Sequence, residues 1–412
     1  MDTDKRSIKS NFLWNTFGAV FFLACQWLIT VLVVRFSSGY TEAGILSLAM
    51  SITNVFTVIA LFNVRNYQVS DTENSFSQSE YLAFRIVTVT IALLLCVFTA
   101  LIIGYEPYVF ACIVGYMILK LTENFADVFH GIVQKKWRLD IAGKSFFLRG
   151  ALMILSFIVV FPLTNNLWLA IFVMAFTNLA ALFIYDLPAT VRIEKLSLSS
   201  PETWKKTASL ARICLPMVIY GLAINSMMPI SKCILEAVHG TEALGYYSSV
   251  TTVSMLVQTF AMLVFTPLIG VFGEAYSNGN KRALCYTLIK LLFFIFIVTG
   301  AGLLLSFFFG EPVMAAVFGD GIIPYVYLLY PTVVISALTS LVWLLGMVLV
   351  VIRSMKSLLI GSAVGFVVSS VISLLLVRNT LFSGINIALI LGFGIIDVIY
   401  LLRFLYYAIR GE

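Results

Sequence analysis

The chain has 412 residues, of which 61% are hydrophobic and only 11% are charged. A water-soluble domain cannot bury that much apolar surface, so the composition excludes a soluble globular protein and indicates an integral membrane protein. The net charge is only +6, and the basic residues lie mainly in the breaks between apolar runs, so nucleic acid is not an expected partner.

Long apolar runs separated by short polar breaks predict membrane-spanning helices, because about 20 apolar residues cross a hydrocarbon core of about 30 Å. Runs such as 86–103 are apolar on every face, which excludes the alternating pattern of β-barrel strands. The segment 310–324, with its Gly and Pro residues, is expected to be a broken re-entrant or surface segment rather than another crossing. Twelve spans are predicted, at residues 11–34, 42–62, 82–103, 108–130, 146–163, 167–186, 209–234, 242–270, 284–309, 325–350, 357–377 and 384–407.

The basic residues predict the orientation in the membrane. When alternate breaks are assigned to opposite sides, 22 of the 26 Lys and Arg residues fall on one side. Cytoplasmic loops carry such an excess, so both termini of this multi-pass protein are predicted to be cytoplasmic. The first apolar run is long enough to span and has no cleavage site after it, so we expect an anchor and no cleaved signal peptide.

The predicted fold class is an all-α integral membrane protein with about twelve helices in two six-helix lobes. The lobes are residues 1–186 and 209–412, joined by a cytoplasmic linker at 187–208. Because six is an even number, each lobe begins and ends on the same side of the membrane, so the two lobes have the same orientation. We therefore expect a pseudo-two-fold axis along the membrane normal. Thr41-Glu42-Ala43-Gly44 and Thr241-Glu242-Ala243-Leu244-Gly245 occupy the same place in each half, which indicates a duplication.

Charged residues inside spans are costly, so each is a candidate functional residue. In the fourth span Lys120, Glu123, Asp127, His130 and Gln134 follow a helical period that confines them to an arc of about 80°. We interpret Lys120 as a candidate substrate-binding group, and Glu123 and Asp127 as candidates for ion coupling. A local Lys120/Glu123 ion pair, with the other residues at the interface, explains the pattern equally well.

Three further charges lie within or at the ends of spans. Asp397 is near the middle of the last span, where a lone carboxylate suits a proton or sodium site, although it could also pair with a neighbouring helix. Arg35 and Lys232 end the first and seventh spans, where two cations could hold a diphosphate. The alternatives are side chains that reach the outer interface, and a Lys232–Glu236 pair.

Two more residues are candidates for substrate binding. Arg65 follows the second span at the cytoplasmic mouth and could meet a phosphate, although ordinary positive-inside placement explains it as well. Gln258 could bond a sugar hydroxyl, or it could join helices as membrane amides commonly do. His130 and His239 are the only histidines and have no other metal ligand nearby in sequence, so neither a metal nor another cofactor is expected.

The chain resembles the polysaccharide and O-antigen (lipid-linked oligosaccharide) flippase family of the multidrug/oligosaccharidyl-lipid/polysaccharide exporter superfamily. The resemblance covers nearly the whole chain, and none of its motifs is a strict signature. The residues that carry it are Lys9-Ser10-Asn11-Phe12-Leu13-Trp14-Asn15, the break at 35–44, Arg65-Asn66-Tyr67-Gln68, Gly131-Ile132-Val133-Gln134 with Arg138-Leu139-Asp140, and Leu244-Gly245-Tyr246-Tyr247.

The resemblance implies two lobes around a central cavity, lined largely by the first, second, seventh and eighth helices. It also implies alternating access that moves undecaprenyl-diphosphate-linked oligosaccharide to the outer leaflet, with a polysaccharide polymerase, glycosyltransferases and membrane lipids as partners. Coupling to protons, sodium or membrane potential stays open. The alternative is an ion-coupled multidrug or organic-cation antiporter of the same fold. An enzyme such as an integral-membrane transferase is disfavoured, because no outer loop is longer than about 15 residues.

Overall fold

The computed structural model describes residues 8–71, 73–198, 201–265 and 268–410, with residues 8–9, 201–202, 254–265, 269 and 410 described by their backbone only. All regular structure in this part of the chain is helical. The α-helices are α1 (Ile8–Phe36), α2 (Thr41–Leu61), α3 (Val64–Ser70), α4 (Gln78–Ile103), α5 (Pro107–Lys135), α6 (Leu139–Thr164), α7 (Leu167–Ala181), α8 (Leu187–Val191), α9 (Pro201–Lys205), α10 (Thr207–Phe265), α11 (Leu268–Ser277), α12 (Lys281–Phe318), α13 (Leu329–Val351), α14 (Met355–Thr380) and α15 (Phe382–Arg410). A π-helical turn, Leu182–Asp186, joins α7 to α8, and 3-10 turns, Asp320–Leu328, precede α13.

Eleven helical segments of the described chain are long and apolar enough to cross a membrane. One of them, Thr203–Val253, has 51 residues. At about 1.5 Å per residue this segment would be about 77 Å long, more than twice the thickness of a hydrocarbon core. Gly240 interrupts it with a non-helical backbone at φ 84° and ψ 172°. The segment therefore contains two spans, which confirms the predicted all-α fold with about twelve crossings.

The helix α12 extends beyond its predicted span. It continues through Pro312 to Phe318, so the expected break at the start of 310–324 is wrong. A proline inside a helix removes one backbone hydrogen bond and bends the chain, and it does not oblige the helix to end. The helix ends at Gly319, which takes a φ of 91° and donates its N–H to the carbonyl of Ala315 at 2.8 Å. The 3-10 turns then lead into α13 without another crossing.

The first compact unit contains Met1–Ser38 and Ile45–Leu222. Its closest helix contact joins α1 and α6, where Gly18 faces Gly143. A Cβ atom at either position would overlap the backbone of the other helix. Because lipid supplies no hydrophobic force between helices, close backbone approach at small residues is a main source of helix association.

A capping box begins α4. The Ser77 hydroxyl accepts the N–H of Glu80 at 3.3 Å, and the Glu80 carboxylate accepts the N–H of Ser77 at 2.8 Å. Lys206 contacts the same carboxylate at 3.0 Å, so the segment just before α10 is attached to the start of α4. Such a cap stabilises a helix by about 1 kcal/mol and here also determines where the span begins.

The second compact unit contains Gly39–Gly44 and Ala223–Glu412. Within it α14 and α15 approach at three glycines. A Cβ atom at Gly361 would meet the ring of Tyr400, and one at Gly365 would meet Ile396. A Cβ atom at Gly392 would contact Ser369. Small side chains on both helices therefore allow this antiparallel pair to form.

The two copies of the Thr-Glu-Ala motif lie against each other in the second unit. A Cβ atom at Gly44 would overlap the carbonyl of Thr241, and one at Gly245 would overlap the carbonyl of Tyr40. The rings of Tyr40 and Tyr246 lie 4.2 Å apart between centroids. Both glycines are therefore required by close backbone approach.

Candidate functional site

The polar stripe predicted on the fourth span lies on α5, an unbroken helix of 29 residues. Lys120, Glu123, Asp127, His130 and Gln134 each contact a polar or charged side chain within the first unit. Only one of these contacts is within the stripe, and the others come from α1, α3, α4 and the turn after α7. The stripe is therefore the centre of a polar network that joins five parts of the unit.

Nearer the middle of α5, this network contains a paired lysine and glutamate. Lys120 Nζ lies 2.8 Å from the Glu123 carboxylate, and Gln26 on α1 donates to the same carboxylate at 3.4 Å. Lys120 also lies 5.6 Å from the centre of the Tyr116 ring. The two charged side chains are 12% and 15% exposed. Their charges compensate each other locally, so this pair adds no net charge to the unit.

Nearer the C-terminal end of α5, the network has two arginines on one carboxylate. Asp127 accepts from Arg65 Nη1 at 3.1 Å and from Arg85 Nη2 at 2.8 Å. Gln134 accepts from Nε and Nη2 of Arg65 at 3.2 and 2.9 Å. Two guanidinium groups and one carboxylate leave a net charge of +1. Arg85 is completely buried whereas Arg65 is 25% exposed, so the accessible cation is Arg65.

Arg65 keeps hydrogen-bonding capacity. A guanidinium group has five N–H donors, and the bonds to Asp127 and Gln134 use three of them among the described residues. The remaining two can serve an incoming oxyanion, because arginine presents paired donors that match phosphate geometry. The bonds to Asp127 and Gln134 hold the side chain in one orientation before any ligand arrives.

A second buried cluster lies beside this one and was not predicted. Arg149 on α6 donates to Asp186 through Nη2 at 2.6 Å and through Nε at 3.2 Å. His130 Nε2 lies 3.6 Å from the same carboxylate, which is too far for a good hydrogen bond. His130 is 3% exposed, so it is a core residue of the first unit.

In the sequence Arg85 and Arg149 match ordinary cytoplasmic-side charges, and Asp186 was not among the predicted site residues. All three lie within the predicted spans, three residues inside the start for the two arginines and at the last residue for Asp186. Their position inside the spans was the signal that could have identified these three residues, because a charge inside a span needs a partner.

Asp397 on α15 has no partner among the described residues. It is 8% exposed, and neither carboxylate oxygen has a hydrogen bond there. No described cation lies within ion-pair distance, so the alternative of a pair with a neighbouring helix lacks support in this part of the chain. A buried carboxylate with both oxygens unpaired is a suitable binding group for a proton or a small cation.

The other predicted residues lie elsewhere. Arg35 is exposed in the last turn of α1, in the first unit. Lys232 is half-buried in α10, in the second unit, and no ion pair joins it to Glu236 among the described contacts. Gln258 lies in the part of α10 whose side chains are outside the described residues. No group of three or more metal-binding side chains occurs in the described chain.

The loop between α3 and α4 also carries a buried carboxylate, Asp71. It accepts the N–H groups of Ser75 and Phe76 at 2.9 and 3.2 Å and the hydroxyl of Tyr81 at 2.9 Å. Burial alone would raise the pKa of Asp71, but these hydrogen bonds to its charged form hold the pKa below its usual value. Lys135 donates to the Asp71 carbonyl at 2.6 Å, so the loop is attached to the C-terminal end of α5.

Comparison with known proteins places this geometry in a known fold. No family model matches the chain. A capsular polysaccharide biosynthesis protein, CapF of Staphylococcus aureus, is 22% identical over 310 residues, which cover 75% of this chain and 77% of that protein. An inward-facing multidrug resistance MATE family transporter of the MOP superfamily superposes with a TM-score of 0.68 over 98% of both chains, at 15% identity. The chain has the fold of the MOP superfamily. The lipid II flippase MurJ, in an inward closed conformation, has a TM-score of 0.71 at 11% identity and covers 96% of this chain and 90% of its own.

These similarities confirm the superfamily resemblance predicted from the sequence. Both the capsular polysaccharide relative and the MOP structures extend over most of the chain, so the resemblance includes both compact units. The MOP fold and the apolar helices together make this a multi-pass membrane protein.

Proposed function

We propose that this protein is a flippase that moves undecaprenyl-diphosphate-linked oligosaccharide repeat units from the cytoplasmic to the outer leaflet. It works by alternating access in the bacterial inner membrane, with both termini in the cytoplasm. The repeat units that it delivers are used to assemble surface polysaccharide. The observation that carries the proposal is Arg65, a partly exposed guanidinium that Asp127 and Gln134 hold in place with two N–H groups unused. A diphosphate is the ligand that such a cation fits best.

The similarity to a capsular polysaccharide biosynthesis protein supports this substrate class. A lipid II flippase with the same fold supports it further, because that protein is named for a lipid substrate. Glycosyltransferases would supply the repeat unit on the cytoplasmic side, and a polysaccharide polymerase would consume it outside. A transporter of this kind needs no catalytic residue, because it forms and breaks no covalent bond.

The other candidate cations have assigned places in this proposal. Arg35 and Lys232 would contact the diphosphate or the sugar headgroup during its passage. Lys120 would contribute only if substrate displaced it from Glu123, since the two are paired at 2.8 Å. Gln258 would bond sugar hydroxyls.

Energy coupling is proposed at a carboxylate. Glu123, Asp127 and Asp397 are the candidates, and the contacts favour Asp397. Glu123 and Asp127 already neutralise basic side chains, whereas Asp397 has no described partner and is therefore free to bind a proton or a sodium ion.

A multidrug or organic-cation antiporter is the alternative, and the MATE structures of the same fold keep it open. A site for organic cations requires an accessible, uncompensated acid. In the first unit both Glu123 and Asp127 are paired with basic residues, and Asp127 with its two arginines carries a net positive charge. This arrangement favours an anionic substrate.

The proposal is tested by depleting the protein in cells and measuring lipid-linked repeat units at the inner leaflet. We expect them to accumulate there and surface polymer to fall. If repeat units reach the outer leaflet at an unchanged rate, the flippase proposal is wrong, and efflux of organic cations in the same cells then tests the antiporter.

A further inference from the structure

The second membrane span contains a backbone break that its sequence explains only in part. Helix α2 ends at Leu61 and α3 begins at Val64, while the two residues between them have left-handed backbones. Phe62 has a φ of 48° and Asn63 a φ of 54°. Residues 45–70 contain neither glycine nor proline. Helices α2 and α3 together form one apolar segment that is long enough to cross a membrane, Thr41–Ser70. Asparagine tolerates left-handed backbone but phenylalanine does not, so contacts from elsewhere are needed to maintain the break at Phe62.

The first such contact satisfies the carbonyl that the break exposes. In a continuous helix the carbonyl of Ala60 would accept the N–H of Val64. Here Arg85 Nη1 donates to it at 2.6 Å and Thr88 Oγ1 at 2.8 Å. Both residues lie on α4 and are buried. Two side-chain donors therefore replace the helical hydrogen bond on the near side of the break.

The second contact holds the far side. Arg65, two residues beyond the break, donates to Oδ1 of Asp127 at 3.1 Å, and Arg85 donates to Oδ2 at 2.8 Å. The arginine that occupies the Ala60 carbonyl and the arginine that follows the break are thus bound to the same carboxylate. Asp127 is the common point of both contacts.

We propose that Phe62–Asn63 is a hinge in the second span and that Asp127, acting through Arg85 and Arg65, is the latch that keeps it bent. When the latch is neutralised, the Ala60 carbonyl can take back the N–H of Val64 and the two helices can become one. Straightening turns Arg65 about the helix axis and removes it from Gln134. The consequence for transport rests on the proposed function, because Arg65 is the proposed diphosphate contact, whereas the hinge itself exists with or without a substrate.

The test is a distance measurement across the hinge in the full-length protein. Spin labels on Asn54→Cys and Ser70→Cys, two exposed positions on either side of the hinge, report it in a background where the native cysteines are alanine. A straight helix places these backbones about 24 Å apart, and a bent one places them closer. We expect one short distance in the parent protein and an added longer population with Asp127→Asn. Asp140→Asn is the matched control, since this buried carboxylate pairs with Arg138 and is not among the residues that contact the hinge.

A second pair of variants leaves every charge in place, in case Asp127→Asn does not fold. Asn63→Gly favours the left-handed backbone and should keep the single short distance, whereas Asn63→Ala disfavours it and should add the longer population. A single unchanged distance in Asp127→Asn, or in Asn63→Ala, would overturn the hinge. The labels need no substrate, so this result is independent of the depletion experiment that tests the flippase.

Discussion

Arg149 and Asp186 form a buried ion pair with a distance of 2.6 Å between Nη2 and Oδ2, and each side chain is 1% exposed. The pair joins α6 to the π-helical turn after α7. Arg149 Nη1 also donates to the Asn178 carbonyl at 3.4 Å, so the guanidinium contacts both α7 and the π-helical turn that follows it. It therefore fixes α6 and the end of the helix α7 segment relative to each other.

Removing one member of this pair should destabilise the protein strongly. Arg149→Ala leaves the Asp186 carboxylate buried and without its cation, which typically costs about 3–5 kcal/mol. We expect a large fall in the thermal unfolding temperature in detergent. Glu194→Gln is the control, because it breaks the more exposed pair with Lys136, worth about 1 kcal/mol at most. Equal losses in the two variants would contradict this interpretation of the Arg149–Asp186 pair.

The fold was largely predictable from the sequence because membrane helices are recognised by length and hydropathy. Which helices pack against each other was harder to predict from the sequence. Nothing in the sequence identifies Gly18 and Gly143 as partners, because glycine is common in membrane helices and only the folded chain shows which ones meet. The break at Phe62–Asn63 had only a weak local signal, an asparagine that tolerates left-handed backbone, and tertiary hydrogen bonds maintain it.

The candidate site was predictable on one helix only. The helical period placed Lys120, Glu123 and Asp127 on one face of α5, and in the structure each of them forms an ion pair. The partners on other helices lie far away in sequence and could not be identified from spacing. Arg85 in particular matched the expected pattern of cytoplasmic charges, which concealed its burial.

The contact between α1 and α6 should not tolerate a larger residue. Gly143→Ala places a methyl group against the backbone of Trp14 and Asn15 in α1, and overpacking of this kind costs about 1–3 kcal/mol. We expect less folded protein in the membrane, measured by fluorescence-detected size-exclusion chromatography. Gly300→Ala in α12 is the control, since no described atom outside its own helix lies within 4 Å of the place its methyl group would take. A normal yield of Gly143→Ala would show that the helices separate without penalty.

Acid should weaken the loop between α3 and α4 through Asp71. Its pKa in the folded protein is below the unfolded value of about 3.9, so the unfolded chain takes up the proton first as the pH falls. The stabilisation from Asp71 is therefore complete above about pH 5 and is lost progressively as the pH falls through the folded-state pKa. Asp71→Asn should lower the unfolding temperature at pH 7 and reduce its fall between about pH 5 and pH 3. Glu73→Gln, at an exposed neighbouring position, should leave the pH profile as it is in the parent protein.

Replacing Asp397 should change the ion coupling of transport without lowering the stability of the protein. Because its carboxylate is buried and has no described partner, Asp397→Asn removes a costly charge and should leave the unfolding temperature equal or higher. If a proton or sodium ion binds there, the same change should abolish the dependence of export on that ion's gradient while the protein still reaches the membrane. Gradient-dependent movement of a lipid-linked repeat unit in proteoliposomes measures this, with Asp320→Asn at an exposed position as the control. Export that still follows the gradient in Asp397→Asn would exclude Asp397 and leave Glu123 and Asp127 as the candidates, whose release from their basic partners would then have to accompany transport.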